Sequence, residues 1–237
     1  MQNTTMSAPN PTGVYLQISQ LLSNEQQKAV DDLLSQSDFV DGKTTATAAA
    51  REVKKNTQID ITDSKTLPYI QQHIIDAINR NPDFQAAVMP RHVYPPLISR
   101  YRQGMSYGNH VDSPLMGNYP PMRGDIAMTV FLSDPTTYGG GELEVQSPAG
   151  VLTYKLNKGD AIVYPCTQVH QVKEVTKGMR QVAVTWIQSH VRDAAKRQVL
   201  FELYSLHKAI SKNNPNSPEA NQLLQTHSNL VRMWAEA

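Results

Sequence analysis

The chain has 237 residues, of which 40% are hydrophobic and 18% are charged, and its formal net charge is +1. These proportions are ordinary for a globular protein, and the near-zero charge provides no field that would favour nucleic acid or an acidic membrane. Cys166 is the only cysteine, which excludes an intrachain disulfide and suits a reducing cytoplasm. Residues 1–13 are too polar for a signal peptide, and no apolar stretch approaches the roughly 20 residues that cross a bilayer. We therefore expect a cytoplasmic protein that does not bind a membrane.

The N-terminal part of the chain, residues 14–92, is predicted to form a helical support for the core. Residues 1–13 before it are rich in Asn, Thr, Ser and Pro and are expected to form a mobile tail. A helix capped by a serine or an asparagine is predicted over residues 24–35, and a second helix over 67–79, where apolar residues recur at helical spacing. The polar, Ala- and Thr-rich stretch 38–56 between them predicts a surface loop with little strand.

About eight short strands are predicted between residues 93 and 189. Short alternating or apolar runs follow one another there, separated by Gly, Pro, Asp and Asn, which is typical of an all-β sandwich, barrel or jelly roll. The candidate strands are residues 98–102, 107–111, 126–132, 142–146, 151–156, 160–164, 170–175 and 180–188. The predicted fold class is therefore mainly β with flanking helices, and residues 93–189 are its expected core.

The C-terminal region, residues 190–237, returns to a helical pattern. One helix is predicted over residues 192–210 and a shorter one over 219–234. The apolar stripe of the first consists of Val199, Leu200, Leu203, Leu206 and Ile210. This stripe could pack against the core or against another subunit. The sequence therefore leaves open whether the protein forms a homo-oligomer.

Two histidines and an aspartate in the predicted core form a candidate metal site. His110 and Asp112 stand two residues apart on a predicted strand, so that both side chains point to one side, and His170 begins a later strand. Two imidazoles and one carboxylate can hold non-haem Fe(II) on one face and leave its other coordination positions open. The alternative is that the His-x-Asp pair arises by chance and that a lone histidine is a structural residue.

Arg180 is a candidate partner for a carboxylate-bearing cosubstrate. The strands that begin at His170 and near Arg180 are predicted to form a hairpin, whose three-residue loop ends at Gly178 in a position that favours glycine. In that register Arg180 lies on the same side as His170, inside the barrel, where a buried cation needs an anionic partner. A structural ion pair with Glu142 or Glu144 is the alternative.

The glycine run 139–141 is not a nucleotide-binding loop, because it lacks the Gly-x-Gly-x-x-Gly spacing and precedes a strand rather than a helix. Glycine there would permit backbone flexibility or close approach of a substrate at the mouth of the barrel. A plain hairpin turn is equally compatible with the run.

Motifs spread over most of the chain resemble those of a known enzyme family. They are Tyr101-x-x-Gly104-x-x-Tyr107-x-x-His110-x-Asp112, Phe131-Leu132-Ser133, Gly140-Gly141-Glu142-Leu143, Gly159-Asp160, His170-x-Val172 and Gly178-x-Arg180. Together they are similar to the prolyl 4-hydroxylase-like Fe(II)/2-oxoglutarate dioxygenases. The continuation 186–193 and the helix after it resemble, within that group, the bacterial PKHD-type hydroxylases, which are associated with iron uptake. The resemblance extends from Tyr15 to about Ile210.

The resemblance implies a double-stranded β-helix, or jelly roll, with a cupin-like core. It implies Fe(II) on His110, Asp112 and His170, and 2-oxoglutarate with its distal carboxylate on Arg180. The implied reaction uses O2 to hydroxylate a C–H bond of an organic substrate, with succinate and carbon dioxide as co-products. The sequence does not identify that substrate.

The resemblance further matches Tyr101 and Trp186 to aromatic residues of the cosubstrate pocket, although both could equally be core packing. It also implies L-ascorbate as the reductant that keeps the iron in the ferrous state. A non-catalytic cupin-like module for metal binding or sensing is the alternative function. Demethylation of nucleic acid is disfavoured, because the chain has no basic stripe to neutralise phosphates.

Overall fold

The computed structural model of the chain describes residues 15–46, 48–117 and 119–236. The tail predicted at residues 1–13 lies outside the described residues. The helices are α1 (Asn24–Ser35), α2 (Ala48–Glu52), α3 (Leu67–Arg80), α4 (Pro82–Val88), α5 (Ala194–Ser211) and α6 (Pro218–Trp234), and short 3-10 turns cover Gly42–Thr45 and Pro135–Thr137. Within the described ranges, no helix combines the length and the apolar character needed to span a bilayer.

All eight predicted strands correspond to strands of the structure, with bounds shifted by a few residues. The strands up to His110 are β1 (Leu16–Ile18), β2 (Phe39–Asp41), β3 (Lys54–Lys55), β4 (Thr57–Ile59), β5 (Pro90–Val93), β6 (Leu97–Arg102) and β7 (Ser106–His110). The later strands are β8 (Leu115–Met116), β9 (Met122–Arg123), β10 (Ile126–Phe131), β11 (Gly139–Gly140), β12 (Leu143–Ser147), β13 (Gly150–Tyr154), β14 (Ala161–Pro165), β15 (His170–Val172), β16 (Val175–Lys177) and β17 (Met179–Ser189).

Two antiparallel sheets face each other across the core. The larger sheet has the strand order β1-β14-β10-β17-β6-β4-β2, with β5 paired to the end of β17, and the smaller has the order β13-β12-β15-β7-β3. Phe131 and Ile162 of the larger sheet belong to one buried cluster with Leu143 and Val172 of the smaller sheet. Two packed antiparallel sheets are the arrangement of a jelly roll. The predicted fold class, mainly β with flanking helices around a double-stranded β-helix core, is confirmed.

The helices cover the outer face of the larger sheet. Along β10, Met128 and Val130 belong to a cluster with residues of α1, α3 and α4, whereas Ala127 and Phe131 belong to the cluster between the sheets. The strand is therefore buried on both faces, which explains its continuous apolar sequence. Burial against helices on one side fixes the other side toward the interior, where the candidate site lies.

The predicted cap of the first helix is confirmed. Ser23 Oγ accepts a hydrogen bond from the Gln26 backbone N–H at 3.2 Å, and Gln26 Oε1 accepts one from the Ser23 N–H at 3.1 Å. Gln26 Nε2 also donates to the His73 carbonyl of α3 at 3.0 Å, so that this capping box joins two helices.

The prediction of a surface loop at residues 38–56 is wrong. The segment contains β2, α2 and β3, and its polar residues Lys54 and Asn56 are only 5% and 4% exposed. Their polarity predicts a surface position, yet both residues face the interior beside the candidate site. The assignment of residues 14–92 as a separate supporting region stays a prediction, although its strands join both sheets.

The predicted apolar stripe of the C-terminal helix is rotated in the structure. Leu200 is buried, but Val199 and Leu206 are 41% and 49% exposed. The inward face of α5 instead carries Arg197 and Phe201, since Arg197 Nη1 donates to the Val191 and Arg192 carbonyls at 2.7 and 2.9 Å. A polar residue at the centre of the buried face displaced the stripe from the pattern that hydrophobicity alone predicts.

The predicted hairpin between the strands at His170 and Arg180 is wrong. β15 pairs with β12 and β7 of the smaller sheet, whereas β17 pairs with β10, β6 and β5 of the larger one. After β15 the chain passes through β16, which pairs with β11 in a separate two-stranded sheet, and it enters β17 after Gly178, whose φ is +70°. The left-handed glycine was predicted correctly, but it serves a crossing between sheets.

Replacing Gly178 with alanine is expected to destabilise the fold by at least about 1–2 kcal/mol, the cost of a left-handed conformation for an L residue. A steric cost adds to it, because a Cβ there would lie 2.2 Å from the Thr137 carbonyl oxygen. Gly104 is the matched control, since its φ is +79° and no atom lies within 4 Å of a built Cβ. Urea unfolding of Gly178→Ala and Gly104→Ala measures the difference. Equal losses in the two variants would contradict the close approach at Gly178.

Candidate functional site

His110 and His170 are direct neighbours across two strands of the smaller sheet. His110 is the last residue of β7, His170 is the first of β15, and the two positions pair with each other. Asp112 follows two residues after the end of β7, and Val111 between them is 48% exposed. The expectation that His110 and Asp112 point to one side holds in the structure, although Asp112 lies just beyond the strand.

These three side chains converge on one buried point. Asp112 Oδ1 lies 3.6 Å from His170 Nε2 and 4.0 Å from His110 Nε2, and each side chain is at most 7% exposed. One ligand atom from each of the three lies within 4.8 Å of the other two. Among the described residues, Asp112 Oδ2 has no hydrogen-bond partner of good geometry, although Trp186 interacts with this carboxyl. The donor set therefore has the composition and the unused lone pairs that a divalent cation requires.

A backbone carbonyl fixes the orientation of each imidazole. His110 Nδ1 lies 2.8 Å from the Gly108 carbonyl oxygen, and His170 Nδ1 lies 3.0 Å from that of Gln168. Because a carbonyl can only accept, Nδ1 must carry the proton and donate in both rings. Each Nε2 is then left with a free lone pair directed at Asp112, as metal-bound histidines require.

Electrostatics at this point favour a bound cation. Burial lowers the pKa of His110 to about 3, and His170 beside it lowers the pKa further, so that His110 is neutral near pH 7. Burial raises the pKa of the Asp112 carboxyl above its ordinary value, which His170 partly opposes. A divalent cation among these groups would compensate the desolvated carboxylate and would take His110 as a neutral ligand.

Aromatic rings enclose the two histidines. The Tyr107 ring stacks on His110 with centroids 3.6 Å apart, and the Tyr164 ring meets His170 edge-on at 5.3 Å. Tyr164 is buried, and desolvation raises the pKa of its hydroxyl well above the ordinary value. Neutral aromatic walls restrict the rotation of both imidazoles and keep water from one side of the site.

Arg180 is a buried cation without an acidic partner. It is 1% exposed, and neither Nε nor Nη1 has a hydrogen-bond partner of good geometry among the described residues. The two glutamates considered as partners are engaged elsewhere: Glu142 lies 3.8 Å from Lys155, and Glu144 accepts from Gln171 at 2.7 Å. Burial lowers the pKa of Arg180, and the hydroxyls around it, Tyr138 among them, raise it. Such a site favours an anion delivered from outside the chain.

The glycine run beside Arg180 permits a close approach of backbones rather than a nucleotide site. β11 pairs with β16, and a Cβ on Gly140 would lie 2.0 Å from the Glu174 carbonyl oxygen. A Cβ on Gly141 would lie 3.0 Å from Cδ of Arg180. The missing side chains thus leave room for the arginine to extend into the interior.

Tyr101 and Trp186 both line the cavity that contains the three convergent residues and Arg180. Tyr101 is 3% exposed, pairs with Arg180 in the larger sheet, and its ring centroid lies 5.1 Å from the guanidinium carbon. Trp186 packs edge-on against Tyr94 at 5.8 Å, and its Nε1 has no hydrogen-bond partner of good geometry in the described chain.

The cavity has a volume of about 350 Å³ and extends beyond these residues. Its lining also includes Lys54 and Asn56, which the sequence interpretation missed. Their signal is the alternation in which Lys54, Asn56 and Gln58 are buried while Lys55 is exposed. A strand whose buried, alternate residues are polar is not recognised when hydrophobicity is the criterion.

Two family models match the chain. Residues 96–188 match the 2OG-Fe(II) oxygenase superfamily, and residues 194–236 match the PKHD-type hydroxylase C-terminal domain. A PKHD-type hydroxylase of Crocosphaera subtropica is 41% identical over 226 residues, which is 94% of this chain and all of that relative. A PKHD-type hydroxylase of Hyphomonas neptunium is 39% identical over 221 residues, 92% of this chain and 98% of the relative.

Solved structures share the fold at low sequence identity. A Trichoplax adhaerens prolyl hydroxylase, solved with a hypoxia inducible factor peptide fragment, superposes with a TM-score of 0.54 at 16% identity, over 78% of this chain and 86% of that one. HygX of Streptomyces hygroscopicus, solved with nickel, 2-oxoglutarate and hygromycin B, gives a TM-score of 0.52 at 12% identity, over 77% and 86% of the two chains.

Proposed function

Since this chain belongs to the PKHD-type hydroxylases of the 2OG-Fe(II) oxygenase superfamily, we propose that His110, Asp112 and His170 hold its Fe(II) and that Arg180 binds 2-oxoglutarate. The chain is an Fe(II)- and 2-oxoglutarate-dependent dioxygenase that hydroxylates a C–H bond of an unidentified organic substrate. The observation that carries the assignment is the convergence of two imidazoles and one carboxylate on a single buried point.

The iron, with 2-oxoglutarate and O2, supplies the oxidising chemistry, whose co-products are succinate and carbon dioxide. The residues of the chain bind, orient and exclude water. The Gly108 and Gln168 carbonyls hold the imidazoles in the tautomer that exposes Nε2. Arg180 offers a two-pronged donor to the distal carboxylate of 2-oxoglutarate in a site without competing water. Tyr101 and Trp186 are proposed to pack against the cosubstrate, in line with their place in the cavity wall.

Further proposals rest on the family resemblance and on composition. Ascorbate is proposed to keep the iron reduced, and a role in iron uptake or homeostasis is proposed for the reaction. The cytoplasm is proposed as the location, because the only cysteine, Cys166, is a buried free thiol. Nucleic acid and membrane are not expected as partners, and the exposed Val199 and Leu206 are compatible with a homo-oligomer.

The direct test is turnover of 2-oxoglutarate by the purified full-length protein. Fe(II), ascorbate and O2 are supplied, and succinate is quantified with and without each component. We expect succinate release that requires Fe(II) and O2 and that rises when a fraction of cell extract supplies the substrate, together with products 16 Da heavier. A protein that binds Fe(II) but releases no succinate under any of these conditions would favour the metal-binding or sensing alternative.

A further inference from the structure

Lys54 is a buried cation in the wall of the cavity. It belongs to the smaller sheet, whereas Arg180 belongs to the larger sheet. It lies on β3, at the edge of the smaller sheet, next to the strand that carries His110. Lys54 is only 5% exposed and lines the same cavity as Asp112. A lysine is rarely buried unless it is paired, so the position calls for an anion.

Few of the described residues compensate the buried positive charge of Lys54. Nζ donates to Thr45 Oγ1 at 3.1 Å and lies 5.3 Å from the Tyr107 ring centroid. None of the ion pairs among the described residues includes Lys54. Asp112 and Asp41 act on it only at longer range, and Asp41 is exposed. An ammonium group has three donors, of which one is used here.

A second buried polar group with unused hydrogen-bonding capacity lies beside it. Asn56 is 4% exposed, lines the cavity, and neither its Oδ1 nor its Nδ2 has a hydrogen-bond partner of good geometry among the described residues. The Tyr101 hydroxyl interacts with this amide outside good hydrogen-bond geometry, so that most of the amide's hydrogen-bonding capacity stays unused. A Cβ on Gly42 would lie 1.9 Å from Asn56 Oδ1, so that the glycine makes the room in which this amide sits. A buried amide without partners is costly unless a ligand satisfies it.

The charges of the cavity indicate the class of ligand. Lys54, Arg180 and Asp112 are the three formally charged side chains among the described lining residues, which leaves one positive charge. The ferrous ion adds two positive charges and 2-oxoglutarate adds two negative ones, so that the loaded cavity keeps one positive charge. In that state Asp112 is committed to the metal, and a single further negative charge would balance Lys54.

We infer that Lys54 and Asn56 form a subsite for a carboxylate of the organic substrate. The inference rests on the proposed function, because it assigns 2-oxoglutarate to Arg180 and leaves Lys54 to the molecule that is hydroxylated. The ammonium group supplies the charge and the Asn56 amide donates a neighbouring hydrogen bond. The substrate class is therefore a carboxylic acid with a single negative charge at this end, which selects against uncharged analogues of the same shape.

The test compares matched probes on the anaerobic protein loaded with Fe(II) and excess 2-oxoglutarate. Benzoate with benzamide, and propionate with propionamide, are titrated by calorimetry. In the wild type each carboxylate is expected to bind roughly 10- to 150-fold more tightly than its amide, the range for one hydrogen bond to a charged group. Lys54→Met removes the charge with little change of shape and is expected to bring the ratio to about one. Lys55→Met is the control, because Lys55 is exposed on the other side of β3, and its ratio stays at the wild-type value.

Each outcome decides the inference. A wild-type protein without preference for either carboxylate, or a preference that survives in Lys54→Met, overturns it. Displacement of 2-oxoglutarate by the carboxylates overturns it as well, since the probes would then occupy the Arg180 site. Binding of 2-oxoglutarate is measured first in the same calorimeter cell. A failure of 2-oxoglutarate to bind would count against the proposed function alone. The ratio of probe affinities is compared between the variants whether or not 2-oxoglutarate binds.

Discussion

Alanine at His110, Asp112 or His170 is expected to abolish iron retention and 2-oxoglutarate turnover together. Each residue supplies one of three donors, and Asp112 supplies the only negative charge among them. Loss of an outer partner of a metal ligand already costs roughly 10- to 100-fold in affinity or activity, and loss of a ligand itself is expected to exceed that. Anaerobic Fe(II) titration and succinate release measure the two effects separately.

The stability of the metal-free protein distinguishes a ligand from a structural residue. Burial raises the pKa of Asp112 in the absence of a cation, so its removal is not expected to destabilise the apoprotein. The rise in Tm that Fe(II) causes by binding to the folded state is expected to disappear in all three variants. His92→Ala is the matched control, because its imidazole is exposed on β5, away from the cavity. Stoichiometric iron and normal turnover in any of the three variants would remove that residue from the ligand set.

The convergence of His110, Asp112 and His170 was predictable in part, because two of these residues obey a local rule. His110 and Asp112 are two apart near the end of a strand, and a spacing of two directs both side chains to one side. His170 was included from its residue type and its place at the start of a predicted strand, but its position beside His110 rests on the pairing of β7 with β15, which joins residues that lie 60 positions apart in the sequence. Hydrophobic alternation locates such strands but does not state which of them are neighbours.

The hairpin error illustrates the same limit. Gly178 fits a tight turn and a crossing between sheets equally well, because both need a left-handed residue. The interior position of Arg180 holds in the structure, although it was predicted from the register of a hairpin that does not form. The register with Tyr101 of β6, which decides what surrounds the guanidinium, came only from the structure.

Lys54 and Asn56 could not be predicted because their chemistry opposes the usual rule. Polar residues at alternate positions indicate a solvated face when hydrophobicity is the only criterion. Here the polar face points into the cavity and the next residue, Lys55, points to solvent. Sequence reasoning fails at such places for a physical reason, namely that a functional site keeps buried polar groups whose partners are ligands rather than residues.

Substitution of Arg180 is expected to weaken 2-oxoglutarate binding without destabilising the apoprotein. Arg180→Met removes a charge-assisted pair worth about 1.5–3 kcal/mol, which corresponds to a Kd raised roughly 10- to 150-fold. Arg180→Lys keeps the charge but loses the planar fork, so its Kd is expected to lie between those of the wild type and Arg180→Met. Because the guanidinium is buried and has no carboxylate partner among the described residues, methionine in its place is expected to leave the apoprotein Tm unchanged or to raise it.

Arg197 provides the contrast that makes this result decisive. It is also buried, at 3% exposed, but the Val191 and Arg192 carbonyls satisfy its guanidinium, and it does not line the cavity. Arg197→Met is therefore expected to lower the apoprotein Tm, because the buried Val191 carbonyl and the partly buried Arg192 carbonyl lose their donor, and to keep the wild-type Kd for 2-oxoglutarate. Calorimetric titration and thermal unfolding of both variants give four values. Unchanged 2-oxoglutarate affinity in Arg180→Met, or a loss of Tm as large as that of Arg197→Met, would identify Arg180 as a structural residue and would require another cation to bind the cosubstrate.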